Sequence, residues 1–421
     1  MTEPLLPVPL YLGPQLPRWQ PATAADVQRA IDSGAITERH WLDVKLNTKT
    51  STDGNNKEIA ADLASFANDG GALIYGVSED KAAKTFTIAP FDLSGQAERI
   101  DEVARSRCDP PLYVACHPLP ASSDDCSQGL LLVEIPPSPS APHMVDGRYY
   151  GRGDTTKRRL TDGEVARLHA VRTMRHLTAE QLIEREITRD PIPADGRDTS
   201  HVYVVARPLA APPDLLTETI ERRTLGTVVL GFHSRLGNHA SPNWGHLSSQ
   251  QPRAQGWGVH SHVLTGRRLN QNDKSAETAM VDLEIGDDGS LSLVCGRGSD
   301  YAGDSGQQYI LDAVATLFTR GVVELAGQLG RDHGYGGRWL IAVGLTDLEG
   351  KHSAAAFRNM FGEGLVPFSA DRYIEATEAV TSELLAQPGA VTRRLVRRLL
   401  RGLGTTGQSY GQLLTDPRPG G

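Results

Sequence analysis

The feature that most constrains this chain is a corner at Phe66-Ala-Asn68-Asp-Gly70-Gly71. Upstream, Lys57 to Asn68 spaces Ile59, Leu63 and Phe66 along one side of a helix. Asn68 tolerates a left-handed conformation and suits a helix end, and the two glycines permit a sharp reversal with close backbone approach. Ala72 to Val77 then follows as a short apolar run of the buried-strand type. A helix delivered directly into a buried strand belongs to a layered sheet-and-helix architecture, so the expected class is α/β or α+β.

The rest of the chain is consistent with that class. Its 421 residues suffice for two to three domains, and 39% hydrophobic against 22% charged residues permits ordinary cores. Residues 1–22 read as a Pro-rich arm, because no basic region precedes an apolar block as in a signal peptide. The first domain is expected over 23–187. It opens with a helix capped by Thr23 and stopped at Gly34, and it has strands at Trp41 to Leu46, Tyr113 to Pro118 and Leu130 to Ile135. A helix is expected from about Asp162 to Arg175, a linker over 188–200, and a second α/β or α+β domain over 201–385. In that domain Asp287-Asp288-Gly289 joins Met280 to Ile285 and Leu291 to Cys295 as a hairpin, and a long helix fits Tyr309 to Leu329. A basic amphipathic helix and a flexible tail fill 386–421. Apolar runs such as Gly129 to Ile135 are far too short to span a bilayer. Four cysteines without CxxC spacing fit a reducing, cytoplasmic setting. The net charge of −8 means that any surface for a polyanion must be a local basic patch.

The chemistry-bearing residues concentrate at Glu38-Arg-His-Trp-Leu-Asp43-Val-Lys45. In a strand, Leu42 and Val44 face one side and Asp43 and Lys45 the other, and a bend before the strand brings Glu38 toward Asp43. Glu79 and Asp80, after the buried strand, are candidates for a third acid. Converging carboxylates hold Mg²⁺ or Mn²⁺, and an adjacent lysine steadies charge on a phosphate. Taken alone, an acid-x-Lys pattern is satisfied by a surface ion pair.

The ordered set changes that balance. Glu38, the Asp43-x-Lys45 strand, the Ser65-Phe66-Ala67-Asn68 helix end, the Gly-Gly turn and the strand ending in Gly76-Val77 are followed by Tyr149-Tyr150-Gly151-Arg152-Gly153-Asp-Thr155-Thr156 leading into a helix. This set closely resembles the Schlafen AlbA_2 domain family over about residues 30–175. The resemblance implies a mixed sheet with helices and binding of RNA or DNA, in a setting such as transcriptional control or phage defence. For members that are metal-dependent nucleases acting on structured RNA such as tRNA, it implies an acid-x4-acid site. Carried over by motif, catalytic roles would fall on Glu38, Asp43, Lys45 and Glu79 or Asp80, with Glu38, Asp43 and Asp80 on Mg²⁺ or Mn²⁺. Asp43 stands where the family usually has the longer Glu. The zinc site of animal members is not expected, since Pro137, Ser138 and Pro139 occupy the place of a cysteine pair and Cys116 alone lies near a ligand position. An ATP site is not expected either, for lack of a GxxxxGK[ST] loop.

Arg148, Tyr150, Arg152, Lys157, Arg158 and Arg159 form the candidate nucleic-acid grip, with arginines for phosphates and an aromatic for a base. A solvated hairpin carrying the same charges is the competing reading. Arg393, Arg394, Arg397, Arg398 and Arg401 share one helical face opposite Leu395, Val396, Leu399, Leu400 and Leu403. That face suits nucleic acid, an acidic partner or a membrane surface, and equally an ordinary exposed helix. His233, His239, His246, His260 and His262 cluster in sequence without a recognised metal spacing. A non-catalytic scaffold or ligand sensor, and assembly into a homo-oligomer, are both left open.

Overall fold

The structure, a computed structural model, describes residues 9–10, 18–80, 85–122, 126–175, 179–225, 247–270, 274–301, 306–360, 366–405 and 410–416. The chain divides into two compact units, Met1–His176 with Gly330–Gly337, and Leu177–Leu329 with Arg338–Gly421. Both combine sheets and helices, and the fold class is α+β.

In the first unit, helix α1 (Ala24–Asp32) begins at Thr23, whose side chain accepts from the Asp26 backbone while Asp26 reaches back, a reciprocal capping box. Strand β1 (Leu42–Lys45) leads to α2 (Asp53–Phe66), which starts one turn earlier than its apolar spacing suggests because Thr52 caps it. At the corner, Gly71 has φ 152°, and a Cβ there would strike the Phe66 ring and lie 2.8 Å from the Trp41 carbonyl. The next elements are β2 (Gly71–Tyr75), the hairpin β3 (Val77–Asp80) and β4 (Thr85–Ile88), β5 (Phe91–Asp92) and α3 (Gln96–Arg107). They are followed by β6 (Ala115–Pro120), β7 (Gln128–Ile135), β8 (Met144–Val145), β9 (Arg148–Arg152), β10 (Lys157–Arg159) and α4 (Asp162–Arg175).

β1 pairs parallel with β2, Leu42 opposite Ala72, and β2 pairs antiparallel with β7, which also carries β5 and β6. Alternation along these strands fills two cores. Leu42, Val44, Ala72, Ile74, Leu130 and Leu132 pack with α1 on one face. Leu73, Tyr75, Leu131 and Val133 pack with α2 and α3 on the other. The face of β1 carrying Asp43 and Lys45 is therefore covered, not free, and both faces of the sheet are buried. Part of the arm expected over 1–22 is anchored: Leu10 is buried and its N–H donates to the Trp19 carbonyl at 2.7 Å.

In the second unit, α5 (Ala179–Thr188) precedes a seven-stranded sheet. Its strands are β11 (Val202–Pro208), β12 (Ser249–Arg253), β13 (Gly256–His260), β14 (Val281–Gly286), β15 (Leu291–Cys295), β16 (Arg338–Leu345) and β17 (Tyr373–Val380). The order is β12-β13-β14-β15-β11-β16-β17 and every pairing is antiparallel, so the α+β form of the expectation applies here. Helices α6 (Asp312–Asp332) and α7 (Pro388–Gly402) complete it, α7 packing on β16 and β17. The 287–289 hairpin forms as expected, with Gly289 at φ 85°.

Three expected boundaries shift. α5 packs on the second sheet, so the first unit ends before 187. Residues 188–200 are packed structure, not a linker: Ile192, Thr199 and Ser200 are buried, and so is the Asp190 carboxylate. The 386–421 helix belongs to the second unit because its leucines enter that unit's core. Of the histidines that cluster in sequence, His233, His239 and His246 lie outside the described residues.

Candidate nucleic-acid interface and its buried charge network

The site is built from the end of β1 upward. Because Leu42 and Val44 enter the α1-side core, Asp43 and Lys45 point to the α2 side at the sheet edge, where the apolar packing gives way to charge. Asp43 Oδ2 accepts from Lys45 Nζ at 3.1 Å and from Arg152 Nη1 at 3.0 Å. The Arg152 side chain is 1% exposed, and its Nη2 also donates to the Arg39 carbonyl at 3.1 Å and the Thr155 carbonyl at 3.4 Å. Its guanidinium lies over the Phe66 ring, 4.3 Å from the centroid, a desolvated cation–π contact. His40 faces the Gly153 carbonyl at 3.2 Å through one nitrogen and Asp69 at 3.1 Å through the other. The 37–41 segment and the 153–156 turn are thus tied together, although more than 100 residues separate them in sequence.

A second buried carboxylate lies alongside. Asp62, on α2, pairs with Lys157 at 2.7 Å. Burial pushes the Asp62 carboxyl up, against the pull of Lys157 and Lys45. Burial pulls the Lys45 ammonium down, yet Asp62, Asp43 and Glu38 carry it above its ordinary value. Asp43 is pushed up by burial but held below the usual range by Lys45 and Arg152. Glu38 shares a hydrogen bond with Asp43 and is pushed up to about 7 by burial, that bond, and the charges of Asp43 and Glu79. Burial and the neighbouring carboxylates thus favour the protonated form of Glu38.

Glu38, Asp43 and Lys45 meet, and Glu79 is close enough for its charge to act on Glu38. Asp80 sits exposed on the β3–β4 hairpin, and among the described residues no group of three or more His, Cys, Asp or Glu side chains is placed to hold a metal ion. The residues do not fit a Mg²⁺ or Mn²⁺ ion held by Glu38, Asp43 and Asp80. Asp43 already balances two cations, Lys45 and Arg152, whereas a hard divalent cation needs several ionised oxygens facing it.

The basic patch separates in the same way. β9 and β10 pair with Arg159 opposite Tyr150 and Lys157 opposite Arg152, which puts Arg152 and Lys157 inward against α2. Lys157 Nζ stands 5.8 Å from the centroid of the Tyr150 ring, and Tyr150 packs against the core. Arg158 is exposed but held by Glu164 through both nitrogens at 2.9 and 2.6 Å. Arg148 and Arg159 are exposed and make no ion pair among the described residues. Arg152 presents almost no surface to a ligand, so its role is to position its neighbours.

Asp62 and Tyr75 were not singled out by the sequence. Tyr75 is wholly buried, its hydroxyl has no hydrogen-bond partner among the described residues, and burial, Asp62 and Asp43 raise its pKa well above the ordinary value. The signal for Asp62 was its place on the buried stripe, three residues after Ile59 and four before Phe66. In the second unit, His260 is buried and His262 exposed, so they do not share a site.

These features define an α+β domain whose edge strand and closing hairpin are locked by a buried charge network. The Schlafen, AlbA_2 family model matches residues 38–161, and this segment is a domain of that family. No curated protein matches the sequence. Among solved structures, the chain is similar to the DIP2311 protein of Corynebacterium diphtheriae at 12% identity, over 65% of this chain and 68% of that one. Its TM-score of 0.24 carries no argument about the fold. Among the described residues, no helix is long and apolar enough to cross a membrane.

Proposed function

We propose that the N-terminal unit binds nucleic acid through backbone contacts at the 37–41 segment and the β9–β10 hairpin. The observation that carries this reading is the reach of Arg152 to the Arg39 carbonyl at 3.1 Å and to Asp43 at 3.0 Å, which joins the hairpin to the 37–41 segment and β1 within the stretch that matches the family. Arg39, Arg148 and Arg159 are the exposed cations of this surface, with the half-exposed Lys45 at its margin. Buried Arg152 and partly buried Lys157 hold the shape. Transcriptional control or phage defence is the setting proposed for such binding.

The test is a fluorescence anisotropy titration of the full chain with tRNA and with duplex DNA at several salt concentrations. Binding that weakens steeply with salt supports the reading. An Arg148→Gln/Arg159→Gln variant should flatten the dependence by about 0.9 per lost contact on duplex. No binding at low salt rejects it and favours the scaffold reading.

A nuclease reading has one observation in its favour, the gathering of Glu38, Asp43 and Lys45, with the Glu38 carboxyl pushed up to about 7 by burial and Asp43. It predicts cleavage of tRNA that is lost in Glu38→Ala. The donor set argues against a metal-dependent form, so cleavage abolished by EDTA and restored by Mn²⁺ would overturn that argument. A ligand-sensing role would reside in the second unit's cleft of about 390 Å³, lined by Arg185, Arg207, Asp287 and Asp288 among others.

A further inference from the structure

Helix α7 buries one side completely. Leu395, Val396 and Leu399 are 0% exposed, Leu400 3% and Leu403 1%. Its other side carries Arg393, Arg394, Arg397, Arg398 and Arg401, all exposed. Arg394 pairs with Glu383 at 2.6 Å and Arg398 with Glu375 at 3.0 Å, while Arg393 donates to the Leu414 carbonyl. Arg397 and Arg401 make no ion pair among the described residues. In a chain of net charge −8, five guanidiniums on one face with two acids against them form a strong local excess of positive charge.

We propose that the outer face of α7 is a second nucleic-acid-binding surface, which grips the phosphate backbone through these arginines. Two observations select this occupant. The apolar side is engaged in the core, so nothing remains to enter a lipid interface, as a membrane-surface helix requires. The cations are all arginine, whose planar fork pairs two-pronged with phosphate oxygens. From Arg393 to Arg401 the helix rises about 12 Å, a length over which a duplex carries about seven phosphate charges. The five arginines thus match a short stretch of backbone. The inference rests on the exposure and charge of α7 alone and does not depend on the reading of the N-terminal unit.

The test uses the full chain with a labelled mixed-sequence duplex DNA and with tRNA. Arg397→Gln/Arg401→Gln should weaken binding at least about tenfold at low salt and reduce the log–log salt slope by up to about 2, with an unchanged thermal melt. Glu375→Gln/Glu383→Gln frees two guanidiniums and should tighten binding several-fold, an outcome that a purely structural role would not give. Unchanged affinity and slope in the arginine variant, or no binding by the full chain, overturns the inference. So does loss of binding to phosphatidylserine vesicles in the arginine variant while nucleic-acid binding stays intact. If Arg148→Gln/Arg159→Gln alone loses affinity, this inference falls and the N-terminal reading stands. The reverse result sinks the N-terminal reading and supports this one.

Discussion

Replacing Arg152 by alanine probes the junction on which the first unit depends. The Arg152 and Asp43 side chains are 1% and 6% exposed, so the substitution leaves a carboxylate in a poorly hydrated place. Removing one partner of a buried pair costs about 3–5 kcal/mol. Two donations to the Arg39 and Thr155 carbonyls and the contact over Phe66 disappear as well. Against this, Lys45 stays within 3.1 Å of Asp43. We therefore expect a value near the lower end, about 3 kcal/mol. Because the chain has two units, a single melting temperature would mix their transitions. Hydrogen exchange resolves them: opening at peptides covering 38–46 and 148–157 should rise roughly 150-fold, at 1.4 kcal/mol per tenfold, while α7 peptides keep their protection. The variant pair Arg152→Met and Asp43→Asn should be strongly non-additive, the double variant recovering about 1.5 kcal/mol or more relative to the sum. A change below about 1 kcal/mol for Arg152→Ala, or an additive cycle, would refute the reasoning.

Three further outcomes follow from the same geometry. Glu38 has a raised folded pKa, so its contribution is fully present below about 4.5 and is lost as pH rises through about 7; Glu38→Gln should shrink the fall in first-unit stability between pH 5 and pH 8, followed by local exchange. Asp43 has the opposite sign, its stabilisation being present above its unfolded value and lost as pH falls through the depressed folded one, so Arg152→Met should move acid unfolding of the first unit to higher pH, read by a circular dichroism titration. Leu399→Ala should destabilise the second unit by about 2–5 kcal/mol in urea, whereas Arg401→Gln should stay within about 0.5 kcal/mol.

Much of the first unit is legible from neighbours along the chain. Thr23 and Asp26 signal the start of α1, the alternation in β1 assigns Leu42 and Val44 to the core, and the double glycine dictates the α2–β2 corner. β17 was not legible. Its Tyr-Ile-Glu-Ala-Thr-Glu-Ala-Val run favours helix by composition, and it becomes a strand by pairing along its whole length with β16. The candidate site was half legible. Glu38, Asp43 and Lys45 do gather, but the covered face, the buried Asp62 and the inward turn of Lys157 depend on α2 lying across them.

By itself the sequence determined periodicity, caps and turns, because these depend on residues within a few positions of each other. Only tertiary structure decided which charge meets which. Asp43 and Arg152 are 109 residues apart, and their contact exists because β9 packs against α2 and so brings Arg152 to the Asp43 side of β1. Five basic residues of the hairpin look equivalent as a string. Once folded, buried Arg152 pairs with Asp43, partly buried Lys157 turns inward to Asp62, Glu164 engages Arg158, and Arg148 and Arg159 are left facing water.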